Sequence, residues 1–152
     1  MKKTKLLLQQ TDQKINYLKK AKGVTVPNSG WINAIRSSLN MSLSQLSKKL
    51  EMSKQAANQI EQREVEGSIT LSGLKKYAEV MNMKFVYGFI PNTGSLDKMI
   101  EKRAYEIAKE IVGRTSVNMN LEDQKNSDSR LKKAVQERAE EIKREMPKYL
   151  WD

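Results

Sequence analysis

The sequence predicts a mainly all-α protein, on three observations. Only 3 Pro and 7 Gly occur in 152 residues, so chain breaks are few. Apolar residues recur at helical spacing through most of the chain. Charged residues reach 30% against a modest 38% apolar content, which suits short helices with one buried and one solvated face.

Composition also excludes chemistry. There is no Cys, so neither a disulfide scaffold nor a thiolate nucleophile is available. There is no His, which removes the commonest general base and the commonest zinc ligand. No motif places a Lys nucleophile or a carboxylate pair. The expectation is a protein that is not an enzyme and needs no cofactor or metal. No apolar run approaches the ~20 residues of a membrane span, and Leu6-Leu7-Leu8 is too short for a signal-peptide core. A cytoplasmic protein is expected, with no membrane partner. The net charge is +10, unevenly spread. Residues 1–28 hold 7 basic and 1 acidic side chains, residues 29–91 hold 8 and 5, and residues 92–152 hold 13 and 12. Such an excess attracts polyanions, because neutralising phosphates releases condensed counterions.

Taken in order, residues 4–22 form a lysine- and glutamine-rich segment in which Leu8, Ile15 and Leu18 share one helical side. That stripe is thin and needs a partner surface. Lys22–Gly30 carries two Gly and one Pro and reads as a linker. A basic helical extension over 1–28 is therefore set apart. Trp31, Ile35 and Leu39 then repeat every four residues, as on a helix face. Ser42 with Gln45 makes a capping box for a short helix whose apolar side is Leu46 and Leu50. Glu51-Met52 makes a tight turn. Ser53 caps a helix over Lys54–Glu61 that buries Ala57 and Ile60, and a loop follows to Gly67. Two short, serine-capped helices joined by so short a turn form a helix-turn-helix.

Thr70 or Ser68 caps a further helix bearing Leu71, Leu74, Ala78 and Met81. Residues 84–90, with Phe85, Tyr87 and Phe89, read as one short β-strand ending at Pro91. A lone strand leaves its backbone groups unpaired, so the expected partner is the same strand of a second copy in a two-fold homodimer. The DNA-binding domain is thus drawn at 29–91, with the dimerising strand at its end. Residues 92–152 form a C-terminal helical extension. Ser95 caps a helix to about Val112, residues 113–127 read as a polar loop, and a last helix runs from about Asp128 to Met146, stopped by Pro147.

In a helix-turn-helix the second helix enters the major groove, N-terminal turn first. Here Lys54, Gln55, Asn58 and Gln59 share one side. Lys donates to guanine O6 and N7, and Gln and Asn bond bidentately to adenine. The helix dipole favours a phosphate at the Ser53 end. Trp31, Phe85 and Phe89 read as core, not as stacking platforms. Glu61 reads as an anchor for the end of its helix, pairing with Arg36 or Arg63. Glu137, Glu140, Glu141 and Glu145 read as an exposed face salt-bridged to Arg138, Lys143 and Arg144.

Ser42-x-x-x-Leu46, Ser53-Lys54-Gln55 and Ile60-Glu61 resemble the repressor-type helix-turn-helix family called XRE, related to the phage lambda and 434 repressors. The resemblance implies a lambda-repressor-like helical bundle. A longer set of segments is similar to the bacterial mobile mystery protein A family. It includes Leu8-Gln9-Gln10-Thr11-Asp12, Gly30-Trp31-Ile32-Asn33-Ala34-Ile35-Arg36, Glu61 through Leu71, Val86-Tyr87-Gly88-Phe89-Ile90-Pro91, Leu121-Glu122-Asp123-Gln124 and Leu150-Trp151. By that resemblance, Lys54, Gln55 and Gln59 fall at base-contacting positions, and Ser53 and Arg63 fall near phosphates. Ser42 and Lys48 complete the expected backbone-contacting set.

What the resemblance implies is a DNA-binding transcription regulator; with the two-fold dimer, the expectation is an autorepressor binding a palindromic operator in double-stranded DNA. It further implies a toxin–antitoxin-like operon with a Fic-domain partner. The alternative is an antitoxin acting mainly by protein binding through its terminal helices. Two positions depart from the XRE pattern. Leu43 stands where a phosphate-binding Gln is usual, and Glu51 where the turn usually has Gly. The inhibitory motif of Fic antitoxins is absent, since Gln62 occupies the position that needs a hydroxyl before Glu66-Gly67.

Overall fold

The computed structural model describes residues 2–116 and 124–152. Seven α-helices occur among them: α1 (Lys2–Leu18), α2 (Gly30–Ser38), α3 (Leu43–Lys49), α4 (Lys54–Glu66), α5 (Leu71–Val80), α6 (Leu96–Ser116) and α7 (Gln124–Glu145). Short 3-10 turns cover Lys19–Gly23 and Lys148–Trp151. The chain divides into two compact units. One comprises residues 23–87; the other brings residues 1–22 together with residues 88–152.

The 23–87 unit is built from α2 to α5 around Ile32, Leu46, Leu50 and Tyr77, each no more than 5% exposed. Leu43 packs against this cluster, so the residue in the usual glutamine position serves the core. The buried side of α2 is Ile32 with Ile35 beside it, not the expected Trp31–Ile35–Leu39 stripe. Trp31 and Leu39 are 42% and 55% exposed. The stripe failed because a nine-residue helix touches its neighbours along one line only, and Ile32 lies nearer that line.

Helix α4 runs five residues beyond the expected end at Glu61. Glu61 and Glu64 both engage α2 from its inner side, so the helix is held along this stretch. Gly67 stops it at φ +76°, a left-handed C-cap that glycine adopts without penalty.

Among the described residues there is no β-strand, so the strand expected over 84–90 is corrected to irregular chain. A ladder needs a second segment alongside, and among the described residues none is paired there. Phe85 is half-buried with its ring stacked on Tyr87, centroids 5.7 Å apart. Tyr87 and Phe89 are 59% and 84% exposed, so Phe89 is not core.

In the other unit α6 and α7 lie antiparallel, since Lys143 near the end of α7 bonds Asp97 and Glu101 near the start of α6. Ala104, Ala108 and Ala139 permit close approach, and Ile100, Ile107, Val135 and Ile142 fill the interface. The C-terminal turn buries Leu150 against the pair. Arg103 clamps it by donating to the carbonyls of Leu150 and Asp152.

Helix α1 supplies Leu8 to this core. Its Asp12 carboxylate accepts from the amides of Leu96 and Asp97, at 2.8 and 3.1 Å, while Ser95 Oγ accepts from Lys98 N. Asp12 thus satisfies the free N–H groups at the start of a 21-residue helix, where negative charge is favoured. The expected loop at 113–127 lies partly outside the described residues; its described ends are helical, belonging to α6 and α7. Of the expected acidic face on α7, Arg138 pairs with Glu141 and Lys133 with Glu137. Lys143 turns instead to α6, and its hydrogen bond with Asp97 outweighs burial in raising its pKa.

Candidate nucleic-acid interface

The pair α3–α4 carries the predicted site, and its local sequence sets the geometry. Ser42 takes an extended backbone and its Oγ accepts from Gln45 N at 3.2 Å, while Gln45 Oε1 accepts from Ser42 N at 2.8 Å. This is the complete capping box expected from the sequence. Leu46 then enters the core, fully buried. The turn passes through Glu51 at φ +53°, left-handed for a residue with a Cβ, which costs of order 1 kcal/mol relative to Gly. Ser53 begins α4 with Oγ accepting from Ala56 N at 3.1 Å. Two serines therefore fix where both helices start.

On α4, Ala57 is fully buried and Glu61 nearly so. The 3.6-residue period then turns Lys54, Gln55, Asn58 and Gln59 outward, and all four are exposed. Ser42, Lys48, Ser53 and Arg63 are also exposed. Ser42 and Ser53 already use an oxygen lone pair for capping, which leaves each hydroxyl proton available to an acceptor. Gln62, which sequence reasoning passed over because the helix was ended at Glu61, continues the outward row of Gln55 and Gln59.

Two carboxylates hold α4 in place from its inner side. Glu61 accepts from Arg36 Nε at 2.5 Å and from Asn33 Nδ2 at 2.7 Å, and Arg36 also donates to the carbonyl of Met41 at 2.9 Å. The partner of Glu61 is thus Arg36, not Arg63. Burial pushes the Glu61 carboxyl up, but hydrogen bonds from Arg36 and Asn33 and the Arg36 charge together bring it below the ordinary value. The same hydrogen bond is the main reason that the Arg36 pKa is raised.

Glu64 was not anticipated. It accepts from the amides of Trp31 and Ile32 at 2.7 and 2.8 Å, capping α2 from a distant helix. Gly30 sits at φ +80°, and a Cβ there would lie 2.8 Å from the Glu64 carboxylate. The legible signal was a glycine at a helix start with no capping side chain of its own; Ser29 makes no such bond. Burial raises the Tyr77 pKa, with the charges of Glu61 and Glu64 adding to it, and its hydroxyl donates weakly to the Ile32 carbonyl at 3.4 Å.

Among the described residues no three His, Cys, Asp or Glu side chains are grouped to hold a metal. No helix there is long and apolar enough to cross a membrane. Residues 32–87 match the family model described as Helix-turn-helix, of XRE type. The match covers just over a third of the chain and coincides with α2 to α5 and the segment after them. The chain thus carries the module of DNA-binding transcription regulators. Comparison with curated proteins finds no match, and comparison with solved structures finds none either.

Proposed function

We propose that the protein is a homodimeric, sequence-specific transcriptional repressor. Its α4 enters the major groove of each half of a palindromic operator. The observation that carries this reading is the row of four exposed amide and ammonium side chains on a helix whose start and inner side are both pinned. Lys54, Gln55, Asn58 and Gln59 read base edges. Ser42, Lys48, Ser53 and Arg63 bond the phosphates and set register. The paired surface is the segment 84–90, whose exposed Tyr87 and Phe89 rings favour burial against a second copy.

The regulated operon is the protein's own, with a Fic-domain protein encoded beside it. The support is the resemblance of its longer motifs to mobile mystery protein A. The 1–22 and 88–152 unit presents exposed Tyr105, Tyr149 and Trp151, residue types enriched at protein interfaces, for that partner. Co-purification of the two gene products tests this step, and persistence of the complex after removal of residues 124–152 would refute the assignment of its surface.

DNA reading is tested by fluorescence-anisotropy titration on the operator and a scrambled duplex. Gln55→Ala is expected to weaken operator binding by about 1–3 kcal/mol and to narrow the gap to scrambled DNA. Equal affinity of the wild-type protein for both duplexes would overturn the proposal.

A further inference from the structure

We infer that the lysine segment leading into the helix-turn-helix unit, Lys14 to Lys22, is a second DNA-contacting element that grips backbone phosphates beside the half-site. The inference rests on the DNA-binding reading above and extends it to residues outside the matched domain. Residues 1–28 carry 7 lysines and a single acidic residue, Asp12. That carboxylate is turned onto the amides at the start of α6, and among the described residues no lysine is within ion-pair distance of it. Helix α1 docks through Leu8, Asp12, Ile15 and Leu18, which are half-buried, and every lysine from Lys2 to Lys22 is exposed. Among the described residues, none of them pairs with a carboxylate.

The densest stretch is the 3-10 turn, with Lys19, Lys20 and Lys22. At a rise of ~2.0 Å per residue these three charges fall within about 6 Å along the axis, against a phosphate every ~3.4 Å on each DNA strand. Three unpaired ammonium groups so close repel one another in the free protein, and a row of phosphates relieves that repulsion. The turn is tied to the start of α2 by residues 23–29, which span at most about 25 Å fully extended. Docking of the helix-turn-helix on a duplex therefore brings this segment near the same polyanion. An anionic membrane is the rival occupant, since Leu6, Leu7 and Tyr17 are exposed on α1. It is disfavoured because these apolar side chains are too few for stable insertion.

The test is the salt dependence of binding by full-length protein carrying Lys19→Gln, Lys20→Gln and Lys22→Gln, on the operator and on a random-sequence duplex of equal length. The log–log slope is expected to become shallower by roughly 2 to 3 on both, with the ratio of the two affinities unchanged. The Lys→Arg counterpart should restore the wild-type slope. A slope equal to wild type, with operator preference intact, overturns this inference and leaves the proposed function standing. Loss of operator preference in the wild-type protein overturns the proposed function itself. Binding of the wild type to phosphatidylserine vesicles that the Gln variant loses, with its DNA slope unaltered, assigns the lysines to a membrane and also overturns the inference.

Discussion

Glu61 shows how one residue can fix the orientation of a whole helix, here α4 against α2. Its carboxylate is nearly buried and holds three hydrogen bonds from Arg36 and Asn33. Removing one member of such a pair leaves the other charge partly desolvated, so Glu61→Gln should cost about 3 kcal/mol at neutral pH. The pH dependence follows from the lowered pKa of Glu61. A group whose folded pKa lies below its unfolded value of 4.5 contributes its full stabilisation above that value. The contribution is lost as pH falls through the depressed folded pKa. Urea melts across the acid range should therefore show wild-type and variant stabilities converging as pH falls progressively below 4.5. Parallel curves would contradict the assignment. Glu64 makes a companion case, since the glycine at position 30 is required both by φ and by the space its carboxylate takes.

At the scale of elements, the helix pair α3–α4 was legible because its signals are local. Ser42, Gln45 and Ser53 are caps that act within three residues, and all three were found as expected. What was not legible depends on distant partners. The end of α4 was missed because Glu61 and Glu64 reach across to α2. The period-four stripe points Trp31 to the core, but tertiary contact selects Ile32. The β-branched and aromatic content of 84–90 predicts a strand, but such content records a preference for being paired and not the presence of a partner.

The docking of α1 was likewise hidden, since nothing in the Leu8–Asp12 segment names α6 as its neighbour. Asp12→Ala removes two charge-assisted caps from α6 and should cost about 1–2 kcal/mol in thermal melts. It should also speed proteolysis within α1. Unchanged cleavage there would show that α1 is held by its apolar contacts alone.

At the scale of the whole molecule, the proposal requires two copies. Phe89 is 84% exposed, so Phe89→Glu should not disturb the fold of a single chain. Light scattering is expected to give twice the chain mass for the wild type and the single chain mass for the variant. An unchanged dimer would place the two-fold interface elsewhere. A two-fold pair also sets a spacing, because each α4 must reach the same face of the duplex. The measurement that bears most directly on the account is methylation protection of the upstream DNA by wild-type protein and by Gln55→Ala. Two protected major-groove blocks about one turn, ~34 Å, apart, weakened together in the variant, are the predicted result. Protection that is uniform along the duplex, or that survives replacement of Lys54, Gln55, Asn58 and Gln59 by Ala, would contradict it.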